Sequence, residues 1–336
     1  MPTEEATMAE AITRREALTT AAATAAVVTA AAAAAAVATP SATGGASPAA
    51  GASGATAAAK ATGAKAKTGA TGRMPTLYLP HGGGPCFFME WTMGPRDTWD
   101  KTADWLRGIP ASLPERPRAL LVISAHWEQP EPTLMTSPKP PMLFDYYGFP
   151  EHTYQLDWPA AGAPELADEI AGLLGKAGIA TRKDASRGFD HGVFVPLLLA
   201  FPKADIPTLQ LSLRRGLDPK EHLAIGRALA PLRDKGVLIV GSGMSYHNMR
   251  GFMRPQSLAE SRNFDAWLEA AARAPRAERE RQLADWAGAP AARACHPREE
   301  HLLPLMVCAG AGGDDAGRVD FRDVAMGVQL SAIRFG

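Results

Sequence analysis

The chain has 336 residues, of which 46% are hydrophobic, and its 35 basic side chains are matched by 35 acidic ones. Balanced charge removes the electrostatic case for nucleic acid or an anionic membrane as partner, and the apolar share suits a globular protein with a sizeable core. Cys86, Cys295 and Cys308 are widely spaced and form no CxxC, which argues against both a zinc ribbon and a disulfide framework.

Residues 1–73 are dominated by Ala, Thr and Gly and contain no aromatic residue. Such a segment cannot bury enough apolar area to offset its ordering entropy. Within it, Arg14 and Arg15 precede a mildly apolar Ala-rich run that ends in Ala36-Val37-Ala38. Basic pair, apolar run and A-x-A predict an export signal of the twin-arginine type over residues 1–38. The destination is then periplasmic or extracellular; a mis-started extension would leave the protein cytoplasmic. The run is too weakly apolar for a membrane anchor. Residues 39–73, with Gly, Ser, Thr and Lys60, Lys65 and Lys67, read as a flexible linker.

The folded part is expected over 74–336. Strands are predicted at "TLYLP" (76–80), "RALLVISAHWE" (118–128), "IPTLQLSL" (206–213), "GVLIVGSG" (236–243) and near "GVQLSAI" (327–333). Helical spacing marks 163–179, 219–236, 257–274 and 299–311, the first with Pro164 near its start and Leu166, Ile170, Leu173 and Leu174 on one face. Strands alternating with helices predict an α/β domain with a mostly parallel or mixed central sheet flanked by helices.

Three of these strands run into a histidine: His81 after "YLP", His126 in "LLVISAHWE" and His247 after "LIVGSGMSY". Ligands of α/β sheets bind at strand carboxyl ends, so parallel neighbours would bring all three to one edge. His191 opens a predicted helix in "RGFDHGVFVPL". His296 and His301 lie in "CHPREEHLLPL" beside Glu299 and Glu300. Imidazoles with an adjacent carboxylate are a transition-metal donor set. Two histidines and a carboxylate suit Fe(II), and three or four imidazoles suit Zn or Fe equally. No HExxH helix is present, which argues against a zincin. His152 and His222 stand in ordinary polar contexts and read as surface or hydrogen-bonding residues. "HGGGP" lacks the Walker lysine and reads as a sharp turn with close backbone approach. "GSG" at 241–243 lacks the G-x-S-x-G pattern of a nucleophile elbow. Its small residues are expected to let the chain turn beside a metal pocket and leave room for substrate.

"LPHGGGP", "VISAHWE", "FDYYGFP…YQLDWPA", "RGFDHGVFVPL", "GSGMSYHNMR" and "EEHLLPL" together resemble, in matching order from about Met74 to the C-terminus, the motifs of the class III extradiol ring-cleavage dioxygenases. This LigB-type family includes a 4,5-DOPA dioxygenase-like branch, to which the motifs are most similar, although "HGGGP" stands where that branch usually has "HGSP". The resemblance implies a single α/β domain with a metal pocket at the strand carboxyl ends, holding Fe(II) or, alternatively, Zn(II). It implies a catechol-type aromatic substrate whose ring is opened beside its vicinal hydroxyls with O₂. It assigns His81, His126 and His301 as metal ligands, with Glu300 as the alternative third ligand of the wider class. His247 is a ligand by one branch and an acid/base by the other, and His191 is the second acid/base. On a helix, neighbours such as Glu300 and His301 point about 100° apart, so one ion is expected to take only one of them. Tyr146, Tyr147 and Phe149 are candidates to line a flat ring pocket. A zinc-binding relative without catalysis and a metal-dependent hydrolase are the rival functions. Nothing in the sequence fixes an oligomeric state.

Overall fold

The strongest apolar runs form the middle of the sheet in the computed structural model, which describes residues 72–336. The export signal expected over 1–38 and the linker over 39–73 lie outside the described residues, apart from Gly72 and Arg73. The eight strands are β1 (Thr76–Pro80), β2 (Ala119–Gln129), β3 (Thr133–Met135), β4 (Arg182–Asp184), β5 (Thr208–Arg214), β6 (Val237–Gly243), β7 (Gly317–Ala325) and β8 (Val328–Phe335). Their order across the sheet is β4-β3-β5-β2-β6-β1-β8-β7. The central block β5-β2-β6-β1 is parallel; β8 runs antiparallel to β1, β7 to β8, and β3 to β5. Every residue of β1 and β6 is buried. That is why these segments read as continuous hydrophobic runs: helices cover both faces of a parallel block.

The helices are α1 (Asp100–Ser112), α2 (Pro164–Lys176), α3 (His191–Ala200), α4 (Pro219–Leu229), α5 (Ser257–Arg273), α6 (Arg276–Ala284), α7 (Ala292–Cys295) and α8 (Leu303–Gly312). Alternate strand residues feed opposite layers. Leu77, Leu120, Val122, Leu238 and Val240 pack with Leu106 of α1 and Phe194 of α3. Tyr78, Leu121, Ile123, Val237 and Ile239 pack with α2, α4, α5 and α8. The result is the expected α/β domain with a mixed sheet. Among the described residues, no helix is long and apolar enough to cross a membrane.

Two features position the site. First, β1 and β6 end together and β2 stops pairing with β6 at the same level before running on to Gln129: Leu79 and Ser124 both pair with Ser242 of β6. Second, the register of β2 against β5 slips between Ile123 and Glu128. Such a bulge re-aims the side chains it contains, and His126 is one of them. The helix expected over 299–311 starts only at Leu303, with Pro304 in its first turn. Glu300 and His301 therefore sit in the turn before it, where the 100° rule of a helix does not apply.

Candidate metal centre and active site

His81 directly follows β1, and its N–H donates to Gly243 O (3.1 Å). The chain then leaves through Gly82 (φ +85°) and Gly84 (φ +56°), where other residues are strained. A Cβ at Gly82 would also strike Cys86 Sγ, and one at Gly84 would meet the Phe149 ring at 2.8 Å. His81 Nδ1 lies 3.0 Å from Ser242 Oγ. That hydroxyl spends its proton on Gly192 O. It therefore accepts from His81 Nδ1–H and leaves Nε2 of His81 without a proton. His81 Nε2 is 3.1 Å from His126 Nε2.

His301 arrives from the opposite layer. Its carbonyl accepts from Met244 N–H (3.1 Å) and from the Tyr78 hydroxyl (2.7 Å). The glycines of "GSG" make this approach possible. A Cβ at Gly243 would lie 2.1 Å from His301 O, and one at Gly241 would lie 2.6 Å from Pro304 O. Both glycines belong to β6 and neither has a positive φ. They leave room for the segment that carries His301, rather than for a turn or a substrate as the sequence suggested.

His81, His126 and His301 thus each offer one nitrogen, with all three nitrogens within 4.8 Å of one another. Their ring centroids are 4.9–5.2 Å apart. His191 and His247 lie against this trio. The His191 ring is 4.0 Å from that of His126, and His247 stacks on His301 at 3.3 Å with 15° between planes. Two carboxylates anchor these rings. Asp145 Oδ1 accepts from His191 Nδ1 (2.7 Å) and from His191 N–H (2.9 Å). Asp145 Oδ2 is 3.8 Å from His126 Nδ1, beyond hydrogen-bond range. Glu300 Oε1 lies 3.0 Å from His301 Nδ1 and 3.2 Å from His247 Nδ1. Its Oε2 makes no hydrogen bond and has Arg298 Nη1 at 3.4 Å.

Burial, then repulsion from the other imidazoles, holds His81, His126 and His301 well below the ordinary histidine range. They are neutral near pH 7, the form that binds metal. Burial pushes the Asp145 carboxyl upward, but the His191 hydrogen bond and the charges of His191 and His126 more than offset it and bring it to about 2. Glu300 is likewise lowered, with His247 outweighing burial. His81 and His301 are deep, at 1% and 4% exposed, whereas the His126, His247 and Asp145 side chains are 21%, 22% and 22% exposed. Access to the trio is therefore from the side where His126, His247 and Asp145 meet solvent.

Other sequence candidates separate from this cluster. His296 is buried among Phe264 and Trp286 and donates from Nε2 to Ser245 O (3.0 Å). His222 is bonded to Arg214 N–H and Asp218 O within its own layer, and His152 meets Phe88 O at the surface. Tyr146 is buried, edge-on to His191, and its hydroxyl is spent on Thr153 O. Phe149 packs on Tyr146, while Tyr147 is 54% exposed. Sequence reasoning missed Asp145, although it stands inside "FDYYGFP". It also missed Asp190, a fully buried carboxylate that binds Ser124 Oγ (2.7 Å), Arg187 (2.7 Å) and Gln210 just before His191.

A ring of imidazoles at the carboxyl ends of a parallel block, open on one side, defines a metal-dependent enzyme site of the α/β class. The chain belongs to the LigB family: the profile of the catalytic LigB subunit of aromatic ring-opening dioxygenase matches residues 75–330. It is similar to the dioxygenase tasH of Hapsidospora irregularis, at 36% identity over 79% of this chain and 86% of that one. It is also similar to the 4,5-DOPA dioxygenase extradiol of Beta vulgaris (41% identity; 60% of this chain, 76% of that one). The Escherichia coli K12 protein of the same name is 33% identical over 79% of this chain and 95% of that one. Among solved structures, an uncharacterized protein from Escherichia coli K12 superimposes with a TM-score of 0.64 at 28% identity. That match covers 79% of this chain and all of the other.

Proposed function

We propose that the protein is a non-haem Fe(II) dioxygenase that opens the ring of a catechol-type aromatic with O₂. The observation that carries this is the trio His81, His126 and His301, neutral and gathered with their nitrogens within 4.8 Å. The 3.1 Å between Nε2 of His81 and Nε2 of His126 fits two donors on one ion. Nitrogens 2.0–2.1 Å from a common ion, at 90–110° to one another, are roughly 2.8–3.4 Å apart. When bound, Fe(II) would supply adjacent open positions for the two catechol oxygens and O₂. Zn(II) satisfies the same donor set, so the ion is fixed by activity rather than by ligands.

The chain's own groups supply the proton chemistry. Asp145 takes Nδ1–H of His191, which leaves Nε2 of His191 as the base for a catechol hydroxyl. Glu300 Oε1 faces Nδ1 of His247 at 3.2 Å, and His247 is the group placed to hold a proton and return it beside His301. The buried walls around His81 and His301 keep bulk water from those two rings. Arg14 and Arg15 followed by the Ala-rich run support export by a twin-arginine route. The test is anaerobic purification with Fe(II), followed by a screen of catechols for O₂ uptake and a yellow ring-opened product. Iron-loaded protein that consumes no O₂ with any catechol would instead favour a zinc-binding, non-catalytic relative.

A further inference from the structure

The two carboxylates of the site share a pattern. Asp145 reaches His191 and, more distantly, His126; Glu300 reaches His247 and His301. Each contact is to an Nδ1 atom. With Ser242 on Nδ1 of His81, the Nδ1 atoms of the five rings all face a side-chain oxygen. An imidazole that gives Nδ1–H to an acceptor is fixed in the tautomer whose lone pair is on Nε2, and its ring is fixed in direction.

We propose that Asp145 and Glu300 are positioning residues, each pairing one ring of the trio with one proton-handling ring, and that neither carboxylate is itself a metal ligand. This rests on the proposed metal-dependent function. Three observations carry it. Three sets of possible donors gather here, His81 with His126 and His301, His126 with Asp145 and His191, and His247 with Glu300 and His301, and the one set made of imidazoles alone contains neither carboxylate. Glu300 Oε1 bonds Nδ1 of His301 and lies 3.2 Å from Nδ1 of His247, so ligation through it would draw it away from both rings. Asp145 Oδ1 is held by two donors of His191 at once, which locks carboxylate and ring together at the start of α3. The unequal distances also divide the labour. Glu300 bonds a ring of the trio directly, whereas Asp145 bonds His191 and only faces His126.

Co(II) titration monitored by its d–d absorption, with steady-state kinetics alongside, tests this on full-length variants whose melting matches the parent. Glu300→Ala is expected to bind one Co(II) with affinity reduced about 10–100-fold, the usual cost of losing such a partner. Glu300→Gln keeps an acceptor oxygen and should recover affinity to within a few-fold of the parent with an unchanged d–d spectrum. Its new amide nitrogen faces Arg298, whose half-exposed head is already held by Glu128. Asp145→Ala should keep Co(II) affinity and KM but lower kcat about 10²–10⁴-fold, as expected when a proton-transfer group is misplaced. Asp145→Asn should recover part of that loss. A Glu300→Gln protein that loses the ion as fully as Glu300→Ala and shifts the spectrum would make Glu300 a ligand and overturn the proposal. So would an Asp145→Ala protein with the parent kcat. A parent that binds Co(II) but, when loaded with Fe(II), never turns over a catechol would refute the ring-opening function alone, since the metal titrations of Glu300 stand without it.

Discussion

Nitrogen by nitrogen, the site is a set of neutral imidazoles whose outward atoms are tied down. Loss of His81 or His126 removes one of three gathered donors, so His81→Ala and His126→Ala are each expected to abolish stoichiometric metal binding. His301→Ala should lose more metal than Glu300→Ala. Elemental analysis of folded variants checks both statements, and full metal in either strand-end variant would refute the trio. The histidines were legible because an imidazole at the end of an apolar strand has few structural reasons to be there. Asp145 was not, because its partner lies 46 residues away and only the fold joins them. Two histidines outside the trio make a separate point about pH. Burial keeps His222 and His296 neutral, the latter down to about 3. Unfolded, each would protonate near pH 6.5. The unfolded state therefore binds more protons below that value, and stability must fall as pH drops, by up to about 1.4 kcal/mol per unit for each group. Denaturation of the metal-free protein at pH 7.5 and 5.5 should show this decline, and His296→Gln should make it shallower. An identical slope in parent and variant would refute the assignment.

The elements that carry the site were readable to the extent that both their faces are buried. β1, β2, β5, β6 and β8 are apolar runs and were predicted near their observed limits. β3 and β4 have only three residues each, and β7 at the sheet edge is buried only at its two end residues, so none leaves a comparable signal. The start of α8 was misplaced because charge and apolar spacing continue smoothly through "EEHLLPL", while the turn there is imposed by packing of His301 on Gly243. That packing can be probed. Gly243→Ala would place a methyl 2.1 Å from His301 O, so the turn must move. Overpacking of this kind costs typically about 1–3 kcal/mol, and here metal affinity should fall with stability. Gly83→Ala is the contrasting case, since nothing lies within 4 Å of its added methyl and its φ is not positive. Melting curves should rank Gly243→Ala well below Gly83→Ala, and equal midpoints would remove the steric role given to Gly243.

At the scale of the molecule, the sheet gathers residues that are remote in sequence, and the Ala-rich segment before Gly72 offers no aromatic side chain to that core. A chain beginning at Gly72 is expected to match the full chain in melting temperature and turnover; a marked loss of either would show that residues 1–71 contribute. Arg14→Lys with Arg15→Lys should block export, as followed by cell fractionation, and continued export would redirect the route. Composition alone distinguished these segments, whereas the meeting of six chain stretches, around residues 81, 126, 145, 191, 247 and 301, was visible only through motif order. That meeting has a thermodynamic consequence. His81 and His126 are 45 residues apart, and Tyr78, which holds the His301 carbonyl, is 223 residues from it. An unfolded chain presents these donors with no common centre, so an ion that binds the native state has no comparable site to lose to. Its binding free energy then adds to folding by mass action, about 2.7 kcal/mol at a free concentration one hundred times Kd. The melting temperature should rise steadily with the logarithm of free Co(II) well past saturation, and a plateau at one equivalent would mean that the unfolded chain competes for the ion.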